Sequence, residues 1–285
     1  MAITYVDVHP HIVSPDESRY PRMPLFGVQS DWSKTRPVTI EQMVEVMDEA
    51  GVHKAAIVQA ATCYGYDNSY LADSVQRYPG RFTGVGSVDF LAADAAKKIR
   101  HWYDRGITGL RLFTGGSTKE IDADWLVDPA SFPAWECASE MKISVVIQTD
   151  PSGLDHVASL ASRFPDAFIL LDHCARPTIN DGPPYAKAAS LFAMAQYKNI
   201  RIKVTPRTFD KVQEGKADAA TFFAKLVGAF GASRLAWGSN FPASDGKMST
   251  NLEVGKQCLA SLSETDREWI FGRTAMSVYP ALAAK

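Results

Sequence analysis

Short runs of apolar and β-branched residues recur along the chain, and an amphipathic stretch follows each of them. The runs that read as strands are Thr4–Val8, Ala55–Gln59, Phe82–Val88, Gly109–Phe113, Ile143–Gln148, Phe168–Leu171, Ile200–Val204 and Leu235–Gly238. Phe168-Ile169-Leu170-Leu171 is apolar at every position rather than at alternate ones, which suits a strand covered on both faces of a parallel sheet. The clearest helix is Thr39–Ala50. Thr39 and Gln42 have the spacing of a capping box, Ile40, Met43, Val44 and Met47 share one face, and Gly51 stops the helix. Further helices are predicted at Ser69–Arg77, Ala92–Asp104, Phe132–Glu140, Leu154–Arg163, Ala186–Gln196, Ala219–Phe230, Leu252–Ser261 and Thr265–Tyr279. Strands alternating with helices favour a parallel sheet, and eight repeats favour closure into one (β/α)8 TIM barrel over residues 1–285.

Two segments break the rhythm. Residues 12–38 carry Pro15, Pro21, Pro24 and Pro37 with Trp32 and little periodicity, and residues 176–185 carry Pro177, Pro183 and Pro184. Long non-periodic loops in a compact domain are usually functional, and each of these follows a strand that ends in histidine, so both are predicted to be lids.

Composition narrows the picture in a few places. The 285 residues are 46% hydrophobic, enough for one large core, and a formal net charge of −2 argues against nucleic acid or an anionic membrane as partner. No apolar stretch reaches the roughly 18 residues that span a membrane. Cys63, Cys137, Cys174 and Cys258 form no CxxC pair and read as reduced thiols, and the first residues lack the pattern of a signal peptide. The expectation is a soluble, cytoplasmic enzyme with no nucleic-acid or membrane partner; a homo-oligomer is left open.

The chemistry gathers at predicted strand ends. Asp7-Val8-His9-Pro10-His11 closes the first strand, and side chains two apart on a strand share a face, so His9 and His11 can converge. Two such imidazoles are half of a metal site, a proton-transfer pair, or two surface histidines. Asp172-His173 closes the sixth strand and Gly238-Ser239-Asn240 the eighth. Of six histidines, three fall at the strand ends where barrel enzymes collect their catalytic groups, whereas His53, His101 and His156 lie in helical or turn contexts. Gln59, Tyr64 and Asn68, in or near the loop after the second strand, are candidate hydrogen-bonding partners of a substrate, and Lys203 near the end of the seventh is a candidate positive charge.

Taken together, DVHPH at 7–11, IVQAATCYGYDN at 57–68, GLRLF at 109–113, LLDHCARP at 170–177 and WGSNFP at 237–242 resemble the amidohydrolase-2 branch of the amidohydrolase superfamily, which includes pyrone-dicarboxylate lactonases, sugar-acid lactonases and sulfomuconolactone hydrolases. The resemblance implies a hydrolase that opens a small carboxylate- or sulfonate-bearing lactone with an activated water. It implies that His9, His11 and His173 are catalytic, or hold one divalent metal, zinc foremost, with metal-free operation as the alternative. Arg111 matches an arginine that binds a substrate carboxylate, with Lys203 as helper; alternatively Asp150 or Asp172 neutralises Arg111 as part of the scaffold. Gln148 stands where metal-dependent relatives place a histidine, which disfavours a binuclear centre. Asn240 stands where such enzymes hold the aspartate that activates water, and an amide can orient water but cannot take its proton. That departure keeps a nonoxidative decarboxylase, a lactone isomerase and an impaired, small-acid-binding barrel as alternatives.

Overall fold

The computed structural model describes residues 3–116 and 118–283. Eight parallel strands follow one another in chain order: β1 (Val6–Asp7), β2 (Lys54–Val58), β3 (Phe82–Gly86), β4 (Ile107–Phe113), β5 (Ser144–Gln148), β6 (Ile169–Leu171), β7 (Ile200–Val204) and β8 (Leu235–Trp237). Each pairs in parallel with the next. The seam between β8 and β1 is closed by Val8 N donating to Trp237 O at 3.2 Å and by Ser239 N donating to Asp7 Oδ1 at 2.8 Å. The result is the predicted (β/α)8 barrel.

Alternate residues explain why the strands look apolar throughout. Val6, Val8, Ala56, Val58, Val85, Val146, Leu170 and Ala236 fill the barrel, closed below by Val278, Tyr279 and Leu282. Their neighbours, such as Ile57, Val145, Ile147, Ile169 and Leu171, face outward under the helices. The capping box forms as predicted: Gln42 N donates to Thr39 Oγ1 at 3.3 Å, Thr39 N donates to Gln42 Oε1 at 2.9 Å, and Gly51 ends the helix at φ 70°. No helix among the described residues is long and apolar enough to cross a membrane.

Several elements differ from the sequence prediction. The stretch 186–196 is a chain of short turns around Ala189–Ala193 rather than one helix, and the helix expected at 252–261 is Met248–Cys258. The last helix passes from Glu264–Glu268 through a π-helical turn, Trp269–Arg273, into Thr274–Val278. That turn seats Gly272 directly on the Thr4 carbonyl, where any Cβ would collide. After β6, His173, Cys174, Ala175 and Arg176 all take left-handed backbone, with φ between 49° and 54°. Left-handed non-glycine residues cost roughly 1 kcal/mol or more each, so this run stores strain where the chain leaves the barrel.

The segment 12–38 contains a short helix, Asp31–Thr35, whose Trp32 reaches the barrel mouth. The segment 176–185 touches the mouth through Arg176, while its remainder docks outward: Lys216 N donates to Asn180 O at 3.0 Å and Tyr185 Oη donates to Asp218 O at 3.0 Å.

Candidate active site

A cavity of about 320 Å³ opens at the C-terminal ends of the strands. His11, Trp32, Gln59, Arg111, Phe113, Gln148, His173, Arg176, Arg207 and Asn240 contribute to its wall, and no carboxylate is among the described residues lining it. His9 lies just beneath, fully buried, its ring centroid 5.0 Å from that of His11 and 4.9 Å from that of His173. Gly238 makes this seat for His9 available, because a Cβ there would stand 2.6 Å from the His9 Cβ.

The imidazoles are oriented from behind. His11 Nδ1 is 2.9 Å from the Val58 carbonyl, which can only accept, so the proton sits on Nδ1 and Nε2 carries a lone pair. His173 Nδ1 is 2.8 Å from Thr205 Oγ1. His9 Nδ1 lies 3.2 Å from Asp172 Oδ1 and 3.5 Å from Lys203 Nζ; the closer carboxylate places the proton on Nδ1, and the buried Nε2 has no partner among the described residues. Burial, offset in part by Asp172, lowers the His9 pKa to about 4. Burial and then the neighbouring His9 hold His11 and His173 well below the ordinary histidine range. All three are therefore neutral at pH 7.

Beneath them is a buried charge cluster. Asp172 Oδ2 accepts from Arg111 Nε at 2.7 Å, and Oδ1 lies 3.3 Å from Lys203 Nζ. Burial opposes ionisation of Asp172, but Lys203, His9 and Arg111 outweigh it and hold the carboxyl well below its usual range. Lys203 is fully buried, lies 3.0 Å from Val8 O as well, and has its pKa lowered by burial against the pull of Asp172. Asp7, whose Oδ1 accepts from His9 N and Ser239 N, is pushed up to about 6 by burial despite those bonds.

Arg111 thus takes both parts weighed from the sequence: it pairs with Asp172 and also faces the cavity. Gln148 accepts from Arg111 Nη2 and donates to Gly115 O, so its amide fixes Arg111. Gln59 reaches the wall while donating to Asp67 O. Asn240, at φ 52°, lines the cavity and donates to Ser244 Oγ at 2.8 Å. Besides His9, three candidates stand away from the cavity wall. Tyr64 Oη accepts from Ser14 N at 2.7 Å and from Arg22, tying down the segment 12–38. Asn68 joins its loop to the end of β3 by bonds to Ser87 N at 2.8 Å and Ser87 O at 2.9 Å. Among the described residues, Lys203 reaches the site through His9 and Asp172.

Sequence reasoning passed over Arg176 and Arg207, and of Asp172 it offers the pairing with Arg111 but not the links to His9 and Lys203. Arg176 is half-buried with no bond to its Nε, Arg207 is exposed at the rim, and neither lies within 4.0 Å of a carboxylate among the described residues. Arg207 comes three residues after β7, so the rule that found the histidines at strand ends extends to it.

The ligand atoms of His9, Asp172 and His173 all lie within 4.8 Å of one another, so Asp172 joins this cluster in the place expected of His11. Neutral imidazoles and an orphaned buried Nε2 fit a divalent cation, although Asp172 is shared with Arg111 and Lys203.

The amidohydrolase family model matches residues 6–281. The L-fucono-1,5-lactonase of Burkholderia ambifaria is 26% identical over 243 residues, covering 84% of this chain and 80% of that protein. Among solved structures, a putative 2-pyrone-4,6-dicarboxylic acid hydrolase from Pseudomonas putida is similar with a TM-score of 0.79 at 18% identity, covering 99% of both chains. An amidohydrolase from Burkholderia multivorans with bound zinc gives a TM-score of 0.75 at 18% identity, covering 98% of this chain and 99% of that one. Those two likenesses bear on the fold; the family match, running from β1 to the last turn, bears on descent, and by it the chain belongs to the amidohydrolase family.

Proposed function

We propose that the protein is a hydrolase that opens a small lactone bearing a carboxylate or sulfonate, working in the cytoplasm, where its four buried cysteines stay reduced. The observation that carries this reading is the cavity wall: among the described residues no carboxylate lines it, Arg111 is held from beneath by Asp172, and Arg176 and Arg207 have no ion pair, next to His11 and His173. Arginine holds planar anions through two parallel hydrogen bonds, so the acid group fixes the ring relative to the imidazoles. The lactonase and pyrone-dicarboxylic acid hydrolase among its relatives support the same bond type.

Water attacks the lactone carbonyl carbon and gives its proton to His11 Nε2, which is left free because Val58 O holds Nδ1–H and which belongs to a residue of the cavity wall. The acyl–oxygen ring bond then breaks, and the leaving oxygen recovers that proton from His11, giving a hydroxy acid. Burial, then His9 and then the Arg111 charge depress the His11 pKa, and a bound anion offsets the last of these, so substrate moves His11 toward a better base. Asn240 orients the water. His9, Asp172 and His173 would hold a divalent cation, zinc being the best match to their nitrogen and oxygen donors, and the chemistry it would supply there is Lewis-acid polarisation of the carbonyl.

The test is a panel of lactones with and without an acid group, read by acid release, with carbon dioxide monitored in parallel. Arg176→Met is expected to raise KM for acid-bearing lactones by about tenfold or more with little change on neutral ones and little change in Tm, because it breaks no internal ion pair. Arg111→Met is expected to lower Tm as well, since Asp172 loses its closest partner. Carbon dioxide release without ring opening would replace this reading with a decarboxylase.

A further inference from the structure

The short helix Asp31–Thr35 lies between the loops that follow β2 and β8 and is anchored to both. On the β2 side, Thr62 Oγ1 donates to Ser30 Oγ at 2.8 Å, Ser30 Oγ to Ser33 Oγ at 3.0 Å, and Ser33 Oγ to Ser30 O at 2.9 Å, while Ser30 N donates to Thr62 O at 3.2 Å. Each hydroxyl has one proton, and this chain uses each proton once. On the β8 side, Arg36 Nη2 donates to Ala243 O at 3.3 Å and its guanidinium pairs with Asp245. Thr62 and Ala243 are themselves cavity residues, so both anchors stand on the cavity wall. Between them the helix presents one large side chain to the cavity, Trp32, half-buried, its ring 5.1 Å from His11 and tilted 31° to it.

The rest of the wall is short of large apolar surface. Phe113 is the other big ring, but the Arg111 guanidinium sits over it, 5.3 Å from its centroid, and Phe26 packs 6.0 Å away. Trp32 has one ring neighbour among the described residues, His11. A ligand that satisfies the arginines with its acid groups therefore finds its apolar contact at the indole, next to the imidazole that takes the proton of the attacking water.

We propose that Trp32 is the specificity-determining residue of the site, the indole being the surface on which a flat cyclic anion packs, so that rings are selected over open-chain acids of equal charge. The proposal rests on reading the cavity as the substrate site, and it concerns binding rather than the bond broken. An aromatic platform is worth most to a flat ring, because contact area and stacking geometry are both lost by a flexible chain.

Two compounds without an ester bond test this apart from hydrolysis: isophthalate, a flat ring with two carboxylates, and glutarate, two carboxylates on a flexible chain. Titrations by calorimetry into native protein, Trp32→Ala and Trp32→Phe are compared, with Tm recorded for each. The expected result is an isophthalate Kd weakened about tenfold in Trp32→Ala and partly restored in Trp32→Phe, with glutarate affinity unchanged. The native-minus-Trp32→Phe fluorescence difference should change on adding isophthalate and stay constant with glutarate. Equal weakening for both acids, no weakening for either, or no isophthalate binding to the native protein would overturn the proposal. Lactone turnover by the native protein is scored separately, so a protein that selects rings but opens none would refute the hydrolase reading and leave this one standing.

Discussion

His9, His11 and His173 are neutral because burying a cation is costly, and that cost makes folding depend on pH. Between the ordinary histidine value near 6.5 and the lowered folded-state values, the unfolded chain binds protons that the folded chain does not. Stability is therefore lost as pH falls through about 6.5 and continues to fall toward the His9 value of about 4. Asp7, raised to about 6, has the opposite sign: it favours the folded state on the acid side of that value and offsets one histidine of the three. Tm measured with a chelator present should drop by several degrees between pH 7.5 and pH 5; a flat profile would contradict buried neutral imidazoles. Asn240 is set against the same anion site. Its Nδ2 donates to Ser244 Oγ, and a carboxylate there would face the same cavity as the substrate's acid group. With His11 as proton acceptor, Asn240→Asp should lower kcat/KM for acid-bearing lactones about tenfold, mainly through KM. A rise in kcat would show that the native site lacks a base.

At the level of elements, the loop 12–38 is held by side chains from the β2 loop, and Tyr64 is central to that hold. Its buried hydroxyl accepts from Ser14 N and Arg22, whose Nη2 also donates to Ser14 O at 2.6 Å. Tyr64→Phe leaves the Ser14 N–H without its acceptor, a loss of about 1–3 kcal/mol for a buried donor. Limited proteolysis should then cut within 12–38 faster than in the native protein, with Tm lower and kcat nearly unchanged. A large fall in kcat at constant Tm would instead restore Tyr64 as a substrate-binding group. Strands were legible because buried parallel strands are apolar on both faces, as at Ile169–Leu171, and the Thr39 helix because its cap is local. The sequence puts Asn68, Tyr64 and Gln148 near chemistry, but their partners are distant along the chain, and periodicity carries no record of such bonds. The left-handed run from His173 to Arg176 was equally hidden, since none of its residues is glycine or asparagine; tertiary contacts impose that backbone.

The whole molecule carries a formal charge of −2, so its distant field does not draw in an anion; attraction has to come from the cavity mouth. The three arginines are graded in depth: Arg111 is buried and paired with Asp172, Arg176 is half-buried, and Arg207 stands exposed at the rim. Salt acts differently on each. Mobile ions screen exposed charges beyond roughly 8 Å at physiological ionic strength, whereas a buried pair is shielded from them by the protein itself. Raising sodium chloride from about 20 mM to about 500 mM should therefore raise KM for an acid-bearing lactone several-fold while kcat stays level. A neutral lactone should show no such slope, which separates screening from a general salt effect on folding. Arg207→Met should flatten much of the slope, because it removes the most exposed of the three charges, and Arg111→Met should reduce affinity while keeping it. A salt-independent KM for the acid-bearing lactone would mean that the rim arginines take no part in capturing the substrate.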